Sequence, residues 1–159
     1  MARTITLSAV HLQSLDLTPA LTVIEPPLAS GDILKENLAL QFAIDLDRDP
    51  TDPRELSELP EVRLWFIRLD GRYPWLPLVL DWESGELARY VAMLVPHQFS
   101  PTDGIRYNPE ALEIFIMNKI FVITAWLEQQ GINSSSKVKF MAKTLGYEIE
   151  DSLFTLLKG

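Results

Sequence analysis

The chain has 159 residues, 47% hydrophobic and 23% charged, a balance typical of one globular domain, which we expect to span residues 1–159. It contains no cysteine, which excludes disulfides, thiolate chemistry, iron–sulfur ligation and cysteine-rich zinc sites. The net charge of −8 argues against nucleic-acid partners and anionic membrane surfaces, because both attract lysine and arginine.

The N-terminal segment predicts a strand followed by helix. The run Thr4 to Leu7 is β-prone, and Ser8 to Leu15 favours one or two helical turns. A longer helix should begin with Thr18 as its N-cap and Pro19 at the first helical position. It should end before the Pro26–Pro27 pair, because proline lacks an amide hydrogen and restricts the residue before it.

The first ten residues and the most apolar run bear on location. MARTITLSAV lacks a charged region followed by a long apolar core, so we expect neither a secretory signal nor an organelle transit peptide. The run Ile114 to Leu127 is interrupted by Asn118 and Lys119 and falls short of the roughly 20 apolar residues that a membrane span needs. A cytoplasmic protein without an integral membrane segment is therefore predicted.

An alternating stretch and an acidic loop follow. Leu38 to Leu46 has an apolar residue at every second position, which predicts a half-buried strand. Between Asp45 and Glu61 there are seven acidic residues and two arginines, a local charge of −5. We call residues 45–61 the acidic loop.

The acidic loop matches a calcium site only in part. Asp45, Asp47 and Asp49 have the spacing of the first three ligands of an EF-hand loop. Pro50 and Leu56 stand where that loop needs glycine and glutamate, so an EF-hand is not predicted. A looser site for a hard metal, a solvated loop and a docking surface for a basic partner remain open. The docking interpretation uses Asp45, Asp47, Asp49 and Glu55.

The stretch from Pro60 to Pro96 is predicted to anchor the core. Glu61 to Leu69 has apolar residues at both odd and even positions, so both faces of a strand would be apolar, which predicts a central strand. Asp70–Gly71 fits a hairpin turn. The return segment, Arg72 to Trp82, contains prolines that cannot donate to a ladder, so we expect an edge or irregular strand.

The remainder of the chain predicts helices. Ser84 to Leu94 has an apolar stripe at helical spacing, and His97 to Tyr107 is predicted to be a loop. Asn108 should cap a long helix that runs to Gln130, stops at Gly131 and is buried on most sides. Two shorter helices are predicted at Ser134–Leu145 and Asp151–Lys158. Together the elements predict an α+β fold, with a small, mainly antiparallel sheet packed against the long buried helix and further C-terminal helices.

Catalytic and cofactor motifs are scarce. There is no P-loop, no GxGxxG and no HExxH, so the sequence predicts no cofactor and no metal centre. His97 could serve as a general base if a carboxylate lay beside it. That alternative, a small hydrolase or isomerase, competes with an ordinary hydrogen-bonding role for His97.

Tryptophan and arginine are concentrated in the central stretch. Tryptophan, tyrosine and arginine are enriched at the energetic centres of protein interfaces. Trp65 is predicted to be core. Around the edge-like segment, core packing with paired arginines competes with a partner surface, whose candidates are Arg72, Trp75, Asp81 and Trp82.

Long, uncommon strings carry a family resemblance. Within Glu55 to Phe99 these are EVRLWFIRLD, YPWLP and MLVPHQF, and later come GIRYNPEALEIFIMNKIFVITAWLEQQGI and LGYEI. With these strings, the last two-thirds of the chain resembles the chlororespiratory reduction 6 family of cyanobacteria and chloroplasts.

That resemblance implies a non-catalytic assembly factor. It would assist maturation of the iron–sulfur subunit I of the photosynthetic NADH-dehydrogenase-like complex by binding that subunit as a client protein. The resemblance implies a cyanobacterial cytoplasm here and a stroma for plastid relatives. It supplies no catalytic residues, and the acidic surface would suit a basic client segment.

Overall fold

Two parallel strands open the fold. The computed structural model describes residues 2–33, 38–132 and 135–158. Strand β1 (Ala2–Ser8) pairs in parallel with β2 (Ala39–Asp45), with Ile5 opposite Phe42. Parallel strands need a crossover connection, and helices α1 (Ala9–Gln13) and α2 (Thr18–Ser30) lie within it. The predicted strands at both positions are confirmed.

Helix α2 corrects the predicted ends of the first long helix. Its N-cap is Leu17, one residue before the predicted Thr18, and the helix continues through Pro26 and Pro27 to Ser30. Pro27 is buried, and the amides of Gly31 and Asp32 donate to the last turn of the helix. These bonds satisfy carbonyls of the last turn, whereas the two prolines have no amide hydrogen to donate within the helix. Gly31 then ends α2 at a positive φ of 77°.

The predicted central strand, Glu61–Leu69, is wrong. Helix α3 (Pro60–Arg72) contains it together with the predicted turn at Asp70–Gly71. Apolar residues on both parities also fit a helix, because the buried positions follow each other at intervals of three or four. The buried side chains are Val62, Trp65, Phe66 and Leu69, while Leu64 and Ile67 are exposed.

The segment after α3 is irregular, as its prolines require. Leu76–Val79 forms a 3₁₀ turn, and Leu80 makes one parallel bridge to Leu40 of β2. The predicted edge strand is thus reduced to a single bridge. Helix α4 (Glu86–Leu94) follows and confirms the helix predicted there.

A hairpin replaces the loop predicted at His97–Tyr107. Strand β3 (His97–Ser100) pairs antiparallel with β4 (Gly104–Tyr107). The Ser100 hydroxyl accepts bonds from the amides of Thr102 and Asp103, and Gly104 has a φ of 75° that closes the turn. These local bonds allow strands of only four residues to pair.

The C-terminal helices follow the sequence closely. Helix α5 (Pro109–Gln129) is capped by Asn108 and followed by Gly131 at a φ of 70°, as predicted. It is less buried than predicted, since Ile114 and Phe121 remain exposed. Helices α6 (Ser135–Thr144) and α7 (Asp151–Lys158) complete the chain; Ser134, the predicted start of α6, lies outside the described residues. The α+β class is confirmed, but in place of one mainly antiparallel sheet the described residues form two separate strand pairs, the longer one parallel and the shorter one antiparallel.

The cap of α5 gives a direct stability test. The Asn108 Oδ1 atom accepts a bond from the Ala111 amide at 3.0 Å. Asn108→Ala should lower the free energy of unfolding by about 1 kcal/mol, because that amide loses its partner. Asn108→Asp is the matched control and should keep the stability of the wild type, since a carboxylate accepts the same bond. Urea denaturation of the three proteins measures the difference, and equal midpoints for all three would contradict a capping role.

Four aromatic rings join β2, α3 and α4 at the centre of the core. Phe66 meets Phe42 at 4.9 Å and Trp65 at 5.0 Å between ring centroids, both edge to face. Tyr90 packs against Phe42 and Phe66. The Trp65 indole N–H donates to the Asp16 carbonyl at 2.7 Å, which ties the α1–α2 connection to α3.

A buried ion pair joins α3 to α5. The Lys119 ammonium donates to Asp70 at 2.5 Å and to the Pro74 carbonyl at 2.8 Å. The Tyr90 hydroxyl donates to the same Asp70 oxygen at 3.0 Å. Burial lowers the pKa of Lys119, and the nearby Asp70 carboxylate opposes that shift. Asp70 therefore holds three helices, α3, α4 and α5, at one point.

Candidate functional site

Trp82 forms an aromatic surface with helix α6. Its ring stacks on Phe140, with centroids 5.8 Å apart and an interplanar angle of 16°. The Lys137 ammonium lies 5.6 Å from the centroid of the Trp82 ring. The indole N–H donates to the Pro77 carbonyl at 2.8 Å, which fixes the ring beside the 3₁₀ turn. We call Trp82, Lys137 and Phe140 the aromatic surface.

The register of α6 explains why Phe140 faces outward. Val138, Met141 and Ala142 form the buried stripe of the helix, and Phe140 falls between them with 59% of its surface exposed. Partial desolvation lowers the pKa of Lys137, while the attraction between its ammonium and the face of the Trp82 ring favours the charged form. The aromatic surface is therefore apolar at its centre and basic at its edge.

A cleft of about 380 Å³ adjoins the aromatic surface. Lys139, on its wall, is paired with Asp151 of α7 at 2.8 Å. The cleft is lined by Ser136, Lys139, Phe140, Lys143, Glu148 and Ile149. Its walls combine an aromatic ring and an aliphatic side chain with charges of both signs.

Asp81 lies beside Trp82 but is committed to the fold. Its carboxylate accepts bonds from Gln41 Nε2 at 2.6 Å and from the Ser84 amide at 3.3 Å. The Gln41 bond is the largest cause of the lowered pKa of Asp81, so this side chain carries a negative charge at neutral pH. It places one acid next to the aromatic surface.

Trp75 and Arg72 occupy other positions than Trp82. Trp75 is buried and stacks on Trp126 of α5, with centroids 4.4 Å apart and an interplanar angle of 8°. Arg72 pairs with Glu25 of α2 at 3.3 Å. Of the four residues predicted in this segment, Asp81 and Trp82 lie together, whereas Trp75 contributes to the core and Arg72 to a contact with α2.

The acidic loop is ordered by its own side chains. Asp49 accepts bonds from the amide and hydroxyl of Thr51 at 2.9 and 2.7 Å. The Asp52 carboxylate accepts hydrogen bonds from Arg54, and the bonds from the Arg54 side chain are the largest cause of the lowered pKa of Asp52, about 2. Glu55 begins a short 3₁₀ turn, Leu56–Glu58, and is half-buried, while Asp45, Asp47 and Asp49 are exposed. The described residues contain no group of three or more His, Cys, Asp or Glu side chains suited to a metal ion.

His97 has a serine rather than a carboxylate as its side-chain partner. Its Nδ1 lies 3.0 Å from the Val95 carbonyl and its Nε2 lies 2.9 Å from Ser57 Oγ. A carbonyl can only accept, so Nδ1 donates to Val95, and Nε2 forms the hydrogen bond with the serine hydroxyl. Among the described residues, those lining the adjoining cleft of about 430 Å³ include no aspartate or glutamate. The enzyme alternative therefore lacks its required carboxylate in this part of the chain.

Two residues of the aromatic surface were missed by sequence reasoning. Both Phe140 and Lys137 lie within the helix predicted at Ser134–Leu145, but neither was assigned a functional role. The available signal was the position of Phe140 outside the apolar stripe of α6, because an aromatic residue there must face solvent or a partner.

Comparison with known proteins gives the family. A stacked aromatic pair in which one ring, Phe140, is exposed is a candidate protein-binding surface, because aromatic residues are enriched at interfaces. A family model described as chlororespiratory reduction 6 matches residues 7–156, and the chain belongs to that family. No solved structure matches the chain. Membership implies a role in assembly of the complex I-like NDH complex, and hence a protein partner. Within the described ranges, no helix combines the length and apolar content needed to cross a bilayer.

Proposed function

We propose that the protein is a non-catalytic assembly factor that binds the iron–sulfur subunit I of the NADH-dehydrogenase-like complex as its client. The proposal places it, as one domain, in the cytoplasm of a cyanobacterium. Its main support is membership of an assembly-factor family. The sequence adds that a chain without cysteine is a poor carrier of an iron–sulfur cluster, which favours a role in holding the subunit itself.

The client-binding site is proposed to be the aromatic surface. The observation that carries this assignment is the exposure of Phe140 in a stack with Trp82. Helix α6 already buries Val138, Met141 and Ala142, so the fold does not need Phe140 in that position. An apolar side chain of the client would cover the ring and displace water from it, which is how interface hot spots gain their energy.

Charged residues are proposed to assist client binding rather than to provide its central contacts. Asp45, Asp47, Asp49 and Glu55 in the acidic loop attract a basic segment of the client and raise the association rate. Asp81 adds a negative charge beside Trp82.

Trp75 and Arg72 are proposed to support the aromatic surface indirectly. The stack of Trp75 on Trp126 positions the segment that carries Trp82, and Arg72 contributes through its pair with Glu25.

Two exposed phenylalanines provide a matched test of the site. Phe140→Ala should weaken binding of purified subunit I by roughly tenfold or more, because it removes a central aromatic contact. Phe121→Ala is the control: Phe121 is 47% exposed on α5, outside the aromatic surface, and its loss should leave affinity unchanged. Binding is measured by pull-down with tagged subunit I and by titration of the purified pair.

The possible results distinguish a wrong binding site from a wrong client. Equal binding by wild type, Phe140→Ala and Phe121→Ala would show that the client uses another surface. A wild-type protein that is not enriched with tagged subunit I, together with a normal complex in a deletion strain, would show that subunit I is not the client.

A further inference from the structure

The outer face of α3 carries apolar residues that the fold leaves uncovered. Leu64 is 52% exposed and Ile67 is 46% exposed, one turn apart on the side opposite the buried stripe. Gly71 lies one further turn along the same line. The exposed line therefore runs over two helical turns, from Leu64 to Gly71.

Arginines flank this line on both sides. Arg63 and Arg68 are adjacent in sequence to Leu64 and Ile67, and the helical turn places them on opposite flanks. Neither guanidinium group has a hydrogen bond or ion pair with any residue that the structure describes, whereas those of Arg54, Arg72 and Arg89 each pair with an acid. These two uncommitted guanidinium groups contrast with the net charge of −8 of the chain.

The glycine in this line has no explanation within the chain. A Cβ atom at Gly71 would meet nothing within 4 Å, and its φ lies outside the left-handed region. Alanine would favour the helix over glycine at such a position. What glycine offers is room, because a second backbone can approach closely where no side chain stands.

We propose that the outer face of α3 docks an amphipathic helix of another protein whose apolar stripe is flanked by aspartate or glutamate. The stripe would cover Leu64 and Ile67 and cross α3 closely at Gly71. The flanking carboxylates would pair with Arg63 and Arg68, since guanidinium and carboxylate groups form two parallel hydrogen bonds. Two turns of apolar residues between charged flanks are the usual pattern for a helix laid on a helix.

A cleft extends the basic flank toward the α1–α2 connection. Arg68 and Arg72 line it, and its volume is about 280 Å³. Asp16, on the opposite wall, has its carboxylate bonded to Thr18, which lowers its pKa. An acidic side chain of the docked helix would enter beside Arg68. This face is distinct from the aromatic surface, so the inference does not depend on the identity of the client.

A synthetic helical peptide tests the chemistry directly. The probe has leucines at positions i, i+3, i+4 and i+7 with glutamates on both flanks, and the control peptide has lysines in place of the glutamates. Titration of the full-length protein by fluorescence anisotropy should show saturable binding of the glutamate peptide only, weakening as salt is added.

Matched variants locate the binding site. Arg68→Glu should weaken binding about tenfold, whereas Arg106→Glu, the same charge change on an exposed arginine of β4, should leave it unchanged. Gly71→Trp should abolish binding, and Gly71→Ala should retain most of it with an unchanged or raised melting temperature. If Gly71→Trp fails to fold, the Arg68–Arg106 comparison decides.

Several results would overturn the proposal. One is equal weakening by Arg68→Glu and Arg106→Glu, which would reflect overall charge. Another is binding of the lysine peptide as tightly as the glutamate peptide. A third is a wild-type oligomer that Arg68→Glu or Gly71→Trp dissociates, because a second copy of the chain would then be the occupant of this face.

Discussion

Asp70→Ala should lower the free energy of unfolding by about 3–5 kcal/mol, the loss expected when one partner of a buried ion pair is removed. Asp70 accepts bonds from Lys119 at 2.5 Å and from Tyr90 at 3.0 Å. The Lys119 side chain is only 2% exposed, so the variant leaves an ammonium group inside the protein with the Pro74 carbonyl as its remaining partner. Urea denaturation at pH 7 measures the change.

The deficit of Asp70→Ala should shrink between pH 7 and pH 9. Burial already lowers the pKa of Lys119, and removal of Asp70 takes away the attraction that opposes this shift. A lysine whose folded pKa lies below its unfolded pKa binds more protons when unfolded, so stability rises with pH through that window. The measurement stays below pH 10, where tyrosine ordinarily ionises, so that Tyr90 keeps its proton in both states.

An exposed ion pair is the control for the buried one. Lys139→Met breaks the pair with Asp151, whose side chain is largely exposed, and pairs of this kind contribute about 0–1 kcal/mol. The double variant Asp70→Asn, Lys119→Met should recover most of the loss, because asparagine still accepts from Tyr90 and no charge stays buried. Equal losses for Asp70→Ala and Lys139→Met would contradict the role assigned to Asp70.

Trp65→Ala should lower the free energy of unfolding by about 3–5 kcal/mol, as expected for loss of a large core side chain. Trp65 is fully buried, packs edge to face on Phe66 and donates its indole N–H to Asp16. The variant leaves a cavity at the junction of β2 and α3 and an unpaired carbonyl in the α1–α2 connection. Thermal or urea unfolding, followed by circular dichroism, gives the value.

The residue before Trp65 is the natural control. Leu64 is exposed on the outer face of α3, so Leu64→Ala should change stability by only about 0.5 kcal/mol. A central strand that is buried on both faces would make the two substitutions comparably damaging. Comparable losses would therefore contradict the helical register of α3, and a large difference would support it.

The sequence was most informative where a single residue type fixes the backbone. Asn108 and Gly131 bound α5 in the structure as they did in the prediction, because a cap and a left-handed glycine act locally. The segment Glu61–Leu69 failed because its apolar residues satisfy both a period of two and a period of 3.6. The decision between them came from distant contacts, namely the packing of Trp65 and Phe66 on Phe42 of β2.

In the candidate site too, residue type could be read from the sequence, whereas tertiary packing could not. Trp82 was proposed as a partner-surface residue from its residue type alone, and in the structure it is a half-buried ring that stacks on the exposed Phe140. Its partner Phe140 could not be assigned, because the two residues meet only when α6 packs beside the 3₁₀ turn. Trp75 has the same residue type and a similar neighbourhood in the sequence, but Trp126 of α5 covers it. Residue type therefore suggested the surface, and tertiary packing decided which tryptophan belongs to it.

The parallel pairing of β1 and β2 has a consequence for folding of the chain during its synthesis on the ribosome. β1 emerges first, but its partner is complete only when Asp45 has followed it through the exit tunnel. Ile5 and Leu7, which are buried in the native protein, remain open to other nascent chains for that interval. A short β-prone apolar segment in this state has an unpaired edge and is prone to aggregation. The order of synthesis therefore leaves β1 unpaired until residues 39–45 are available to form β2.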